Sequence, residues 1–310
     1  MKAKHVIIYL LLVIVTSSCI RDEAPNAEAD ILSCRLPGIT MTTSPIINNN
    51  SVTLFVTPGT NISALAPEFT LTSGATITPA SGTERNFNSP QEYQVTAADG
   101  IWKKTYAISV IDTELATIYN FEDTISGKKY YIFVERENDK VIMEWASGNA
   151  GYAMTGVAKT ADDYPTFQIA NGKNGKCLSL VTRSTGFFGG LVGMPIAAGN
   201  LFIGSFDVNN AMSNPLQATK FGLPFRHVPT YLAGYYKYKA GDQFTEGGKP
   251  VEGKRDICDI YAIMYETSVS VPTLDGTNAF TSPNLVSMAR IKDAKETDEW
   301  TYFKLPFTTL

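Results

Sequence analysis

Short alternations of apolar and polar residues, rather than helical stripes, run through this chain. Residues 51–57 (SVTLFVT) set Val52, Leu54 and Val56 against Thr53, Phe55 and Thr57, and residues 92–97 and 104–111 alternate in the same way. Between the last two, Ala98-Asp99-Gly100 is the turn signal of a tight hairpin, because glycine accepts positive φ without a Cβ clash. Strands at this spacing, punctuated by Gly, Pro and Asn, predict a β-sandwich over 31–112. Trp102, beside the turn, reads as a packing residue. Past a junction at 112–117 the text stays β-like to Leu310: IYNFED, KKYYIFVERE, KVIMEWASG, KCLSLVT, LFIGSFDV, GYYKYKAG, DICDIYAIMYE and WTYFKLPF. About eight strands in one unit predict a jelly-roll sandwich. The best helical segment, 293–299 (DAKETDE), offers one turn and has no apolar stripe. The fold class expected is all-β, two sandwiches in series.

The most distinctive stretch is 221–241, FGLPFRHVPTYLAGYYKYKAG. As a strand it puts Tyr236 and Tyr238 on one face and Tyr235, Lys237 and Lys239 on the other. One face is then packed aromatic and the other amphipathic.

Composition narrows the class of function. The net charge of −4, without a Lys/Arg block in the mature part, excludes a nucleic-acid partner, which needs a concentrated basic surface. Charged residues at 18% fall below the usual quarter, as in extracytoplasmic β-rich proteins. At the N-terminus, Lys2 and Lys4 precede an apolar run, 6–15, too short to span a bilayer comfortably, so 1–18 reads as a signal peptide. Thr16-Ser17-Ser18-Cys19 resembles the bacterial lipobox, with Thr16 in place of the commonest Leu, which makes Cys19 the expected lipidation site. Ile20-Arg21-Asp22-Glu23 resembles the surface-export signal of Bacteroidetes lipoproteins, and 19–30 reads as acylated cysteine and tether. The localisation expected is the outer membrane, lipid-anchored and facing outward. Of the remaining cysteines, Cys34, Cys177 and Cys258, an odd number cannot all pair within one molecule. Cys177 and Cys258 are either a disulfide or free thiols in apolar strands; free and buried is the favoured reading.

Residues 119–122 (YNFE), 145–149 (WASGN), 195–204 (PIAAGNLFIG), Phe221-Gly222, 234–238 (GYYKY) and 256–262 (DICDIYA) fall in an order that resembles the family called the Putative carbohydrate metabolism domain of Bacteroidetes lipoproteins. The resemblance covers 117–310 and implies a jelly roll similar to carbohydrate-binding modules. The stretch VTAADGIWKKTYAISV resembles the last hairpin of the immunoglobulin-like modules that open many such lipoproteins, where they act as spacers. Such domains continue past Trp300-Thr301-Tyr302-Phe303 into further strands, whereas this chain stops at Leu310. Either the protein is naturally short or the sequence is truncated, and a missing last strand would leave an open edge on the sandwich.

Candidate chemistry is limited. His227 stands alone in the mature chain, which leaves no histidine for multi-histidine zinc catalysis and no nucleophile elbow beside it. It reads as a loop residue making a hydrogen bond. Glycoside hydrolysis needs two carboxylates across one bond, and the candidates are Glu144, Asp207, Asp256, Asp259 and Glu266. Asp256 and Asp259, three apart, point to opposite faces of a regular strand. No catalytic residue is assigned. No cofactor is expected either; calcium, held by loop oxygens, is the only one the fold invites, and no D-x-D-x-D run marks a site for it. Sugar binding asks only for aromatic faces and a few orienting polar groups. Trp145, Tyr152, Arg226, Tyr231 and Tyr235 are the residues expected to supply them, while Trp300 reads as core. The first reading is a surface glycan binder that passes a polysaccharide or host glycan to neighbouring uptake proteins. The alternatives are a glycoside hydrolase on the same fold and an adhesive lipoprotein without a glycan ligand.

Overall fold

A computed structural model describes residues 25–268 and 270–310. The expected signal peptide and the Cys19 lipidation site lie outside the described residues. The N-terminal strands are β1 (Ile31–Arg35), β2 (Ile46–Ile47), β3 (Ser51–Phe55), β4 (Glu68–Leu71), β5 (Thr76–Thr78), β6 (Gln91–Thr96) and β7 (Lys103–Ile111). A five-stranded sheet in the order β2-β3-β7-β6-β5 faces the β1-β4 pair, and β3 runs parallel to β7 while the other pairs are antiparallel. The alternating residues read from the sequence fill the space between them: Val52, Leu54, Tyr93, Val95, Tyr106, Ile108 and Val110 are almost wholly buried. Phe69 of β4 meets Tyr93 across the sandwich at 4.9 Å between ring centroids. At the hairpin tip Gly100 takes φ +70°, and the Asp99 carboxylate accepts from the backbone N–H of Ile101 and Trp102, which closes the turn. Trp102 itself is 63% exposed, so the expectation that it packs is corrected: the turn carries it and Ile101 out past the end of the sandwich.

The second unit holds β8 (Val134–Glu137), β9 (Lys140–Ala146), β10 (Thr166–Ile169), β11 (Cys177–Leu180), β12 (Arg183–Ser184), β13 (Ile196–Ala197), β14 (Phe202–Phe206) and β15 (Thr219–Phe221). It continues with β16 (Tyr231–Tyr238), β17 (Thr245–Glu246), β18 (Lys249–Pro250), β19 (Tyr261–Tyr265), β20 (Leu285–Arg290), β21 (Thr297–Pro306) and β22 (Thr308–Thr309). They form sheets β15-β14-β9-β8 and β19-β20-β22 and four two-stranded ribbons, among them β16-β21 and β10-β11. The chain is all-β, with helix confined to short turns such as Asn149–Tyr152 and Gly186–Leu191. Residues 297–299, the end of the segment that offered at most one helical turn, open β21 instead. IYNFED is not a strand, because Phe121 takes φ +57° and leaves the extended region to bring its ring against Trp145 and Phe133. Among the described residues no helix is long and apolar enough to cross a membrane.

Three distant segments of this unit are tied by one buried polar network. Asn149, fully buried, donates through Nδ2 to the Thr166 carbonyl at 2.7 Å and accepts the Thr166 N–H at 3.1 Å. The Thr166 hydroxyl donates to the Asn200 carbonyl at 2.7 Å and accepts the Asn200 N–H at 3.1 Å, and the Asn200 Oδ1 accepts the Gly148 N–H at 2.7 Å. Gly199 makes the approach geometrically feasible: a Cβ there would lie 2.4 Å from the Pro165 carbonyl oxygen and 2.5 Å from the Val181 nitrogen. The Thr166 and Asn200 N–H and C=O groups and the Gly148 N–H each find a partner within the network.

Among the described residues Cys34, Cys177 and Cys258 are free thiols. Burial pushes the Cys34 thiol up to about 12, whereas Cys177 and Cys258, expected to be buried, are only half-buried. At the entrance to the first unit, the Lys104 ammonium, 2.5 Å from the Asp30 carboxylate, holds that carboxyl below the usual carboxylate range, aided by the Tyr106 hydroxyl.

Two stability experiments follow from these contacts. Asn149→Ala leaves two buried backbone groups of Thr166 without partners and should cost about 2–4 kcal/mol, read as a lower urea midpoint. Asp30→Asn should cost about 0.5–1 kcal/mol near neutral pH, a figure discounted for the partial exposure of the pair. A carboxyl held low in the folded state contributes its stability above its unfolded pKa, near 4, and loses it as pH falls through the folded value. The urea midpoints of wild type and Asp30→Asn should therefore converge as pH is lowered below about 4.

Candidate functional site

The β16-β21 ribbon realises the alternation expected for residues 231–238. Tyr231, Ala233, Tyr235 and Lys237 point outward, and Leu232, Gly234, Tyr236 and Tyr238 inward. The inward side packs on protein: Tyr236 meets Phe303 at 6.2 Å, and the Phe303 ring occupies the space a side chain at Gly234 would need. Burial pushes the Tyr238 phenol up to about 12. Antiparallel register then sets Tyr235 opposite Tyr302 and Ala233 opposite Lys304. Opposed residues share a face, so Tyr302 joins Tyr231 and Tyr235 on the outer side. The three rings are 55%, 50% and 48% exposed respectively, with Tyr235 and Tyr302 5.2 Å apart between centroids. Tyr231 and Tyr235, four residues apart on one strand, stand about 13 Å from each other. That length suits a short oligosaccharide rather than one sugar ring.

Lysines surround this face. Lys304 Nζ lies 4.1 Å from the Tyr231 ring centroid, and Lys173 Nζ, from the turn between β10 and β11, lies 4.2 Å from that of Tyr235. Lys237 Nζ is 5.4 Å from the Trp300 ring, which is half-buried at the edge of the ribbon rather than in the core expected for it.

The other three expected site residues go elsewhere. Tyr152 is 4% exposed, packs its ring edge-on to Tyr164 and donates its hydroxyl to the Ser184 carbonyl, so neither face of the ring is open to a ligand. Trp145 is half-buried against Tyr119 and Phe121 and donates its indole N–H to Glu135. Trp145 stands on β9 itself, and the turn Asn149–Tyr152 that follows folds back onto the sheet and carries Tyr152 inward. Arg226 lines a separate shallow depression between the two units, with Phe55, Ile111, Ile142 and Phe225. His227 makes its hydrogen bond there, its Nε2 2.6 Å from the Glu114 carboxylate. The expected set thus separates into three places, and Tyr302 was absent from it. Its signal was the repeat of alternation in 300–306, where Tyr302 and Lys304 share parity as Tyr235 and Lys237 do.

The candidate carboxylates are scattered and mostly occupied. Asp207 caps the turn after it by accepting from the Asn209 N–H and the Asn210 side chain. Asp259 forms a two-point ion pair with Arg290. Glu144 remains accessible yet is ringed by enough protein to raise its carboxyl, and burial also raises Glu135. Register places Glu144 opposite Val134 and Glu135 opposite Met143, which puts the two carboxyls on opposite faces of their sheet. No three His, Cys, Asp or Glu side chains are grouped to hold a metal among the described residues. A second exposed apolar surface, Phe187 and Leu191 of the turn Gly186–Leu191, has no polar side chain within that segment to orient a ligand.

Comparison with known proteins agrees with this architecture. Residues 31–110 match the family model described as SGBP, N-terminal, and residues 120–310 match the Putative carbohydrate metabolism domain. A solved structure from Bacteroides thetaiotaomicron, described as a putative glycoside hydrolase, is 85% identical, with a TM-score of 0.90 over 94% of this chain and 85% of that one. Another from Bacteroides vulgatus, described in the same words, is 48% identical over 62% of this chain and 78% of that one, with a TM-score of 0.58. No curated protein matches. A family model that spans most of the chain, joined to so similar a structure over nearly all of it, places this protein in the Putative carbohydrate metabolism domain family.

Proposed function

We propose that this protein is a surface lipoprotein, anchored through Cys19, that binds carbohydrate on the outer face of the β16-β21 ribbon and passes it to neighbouring uptake proteins. The observation that carries the reading is the row of half-exposed rings, Tyr231, Tyr235 and Tyr302, on one rigid two-stranded surface. Pyranose rings present apolar C–H faces that stack on such rings, while phenol hydroxyls and lysine ammoniums orient the sugar hydroxyls. Strands hold this geometry better than loops, so little order has to be gained on binding. The N-terminal sandwich serves as the spacer between anchor and binding face, and the family models matched by the two units support a carbohydrate-associated role.

A glycoside hydrolase is the second reading, favoured by the description of the similar Bacteroides structures and by the raised carboxyls of Glu135 and Glu144. Retaining and inverting enzymes need two carboxyls about 5–10 Å apart on either side of one bond. The opposite-face placement of Glu135 and Glu144 weighs against that pair.

Native gels cast with a panel of polysaccharides, run beside assays for new reducing ends, separate these readings. Retardation without new ends is expected, weakened about ten-fold or more by Tyr235→Ala or Tyr302→Ala, the size of loss typical of removing a stacking ring. Tyr152→Phe should bind as wild type. New reducing ends would make the protein an enzyme, and neither effect across the panel would leave an adhesive role in front.

A further inference from the structure

We propose that the carbohydrate taken by the tyrosine face is anionic, a polysaccharide bearing carboxylate or sulfate groups, and that Lys173, Lys237 and Lys304 recognise its charge. The inference rests on the binding role of that face and adds the class of ligand. Lys104, Lys140, Lys220, Lys254 and Lys295 each have a carboxylate within 4.0 Å. Lys173, Lys237 and Lys304 have none among the described residues, as is also true of Lys129, Lys176 and Lys239; what sets these three apart is the aromatic ring each lies over. Their only close partners of note are the rings of Tyr235, Trp300 and Tyr231.

The outward row of the ribbon, Tyr231, Ala233, Tyr235 and Lys237 beside Tyr302, Lys304 and Pro306, contains no acid. The acids of β21, Asp298 and Glu299, lie inside the register shift, where residues 298–300 oppose Lys237, and neither forms an ion pair with Lys237 among the described residues. Lys173 comes from a stretch with no Asp or Glu between Asp163 and Asp207, and the acid that another segment brings to its turn, Glu122, accepts the Lys176 N–H at 3.0 Å and forms no ion pair with Lys173 among the described residues. Three cations are thus held at an aromatic face in a protein that is acidic overall.

The arrangement discriminates by charge. A neutral sugar stacking on Tyr231 or Tyr235 must first displace the ammonium lying over that ring, a contact worth about two- to five-fold in binding at an exposed site. An anionic sugar gives the same ammonium a stronger, charge-assisted partner. Each lysine then swings from ring to anion, and the ring face it leaves is the face the sugar occupies. The position of the cations therefore penalises neutral chains and favours charged ones.

Matched pairs of probes test this on the whole mature protein: dextran sulfate against dextran, and polygalacturonate against its methyl ester, at low and physiological salt. The expected result is at least about ten-fold tighter binding of one or both charged members, weakening with salt as exposed charge contacts do. Lys173→Ala/Lys304→Ala should remove most of that preference, and Lys173→Arg/Lys304→Arg should keep it. Tyr235→Ala/Tyr302→Ala should weaken binding of charged chains as well, and Lys128→Ala/Lys129→Ala, on a different segment, should change nothing. Binding of neutral chains through the tyrosines with no preference for charge would overturn the anionic inference and leave the binding face standing. Charged chains bound equally by the tyrosine variant, or lost equally in the Lys128/Lys129 variant, would overturn it as diffuse attraction. Failure to bind any polysaccharide would overturn the binding reading itself.

Discussion

The second unit depends on a polar junction rather than on a large apolar core. Its strands are short, its sheets interrupted, and β16, β19 and β21 carry no fully buried side chain. What holds the end of β9, the start of β10 and the loop before β14 at one point is the Asn149–Thr166–Asn200 network, in which side chains and backbone satisfy each other in pairs. Buried polar groups of this kind have a single low-energy arrangement, because any other leaves donors and acceptors stranded. Apolar contacts tolerate slippage; this junction does not. It fixes where β10 runs, and with it the turn that brings Lys173 over Tyr235.

Much of the fold was legible because period-two alternation survives wherever a strand has one buried and one open face. That condition holds along β6, β16 and most of β3 and β7, and there the sequence reading and the structure agree; it lapses at Phe55 and Ile111, which are buried out of alternation. It fails where a backbone irregularity intervenes. IYNFED has strand composition, but Phe121 adopts a positive φ that no propensity announces, and its ring is used to cover Trp145. Residues 297–299 have helical composition, yet pairing with the end of β16 draws them into a strand.

The site was legible in half. Tyr231 and Tyr235 follow from alternation within one strand, whereas Tyr302 and Lys173 reach the same face through register and a distant turn, which a linear text does not encode. Trp145 and Tyr152 misled for a related reason. Glycine and asparagine around them signal a turn correctly, but Asn149 and Gly148 use that turn to reach Asn200 and Thr166, which draws the neighbouring aromatics inward. The segments WASGN and AAGN, met in the sequence as separate marks of resemblance, are the two sides of one hydrogen-bonded joint.

The topology of the first unit also has a mechanical side. The chain leaves this unit through β7, which lies between β3 and β6 and is laddered to both. Where the chain enters, Asp30 is fastened to the same strand through Lys104 and Tyr106. A force drawing the C-terminal unit away along the axis of β7 therefore loads two ladders in shear, and their hydrogen bonds must yield together rather than unzip one at a time. Entry is tied by side chains to the exit strand, so part of the tension crosses the sandwich through β7.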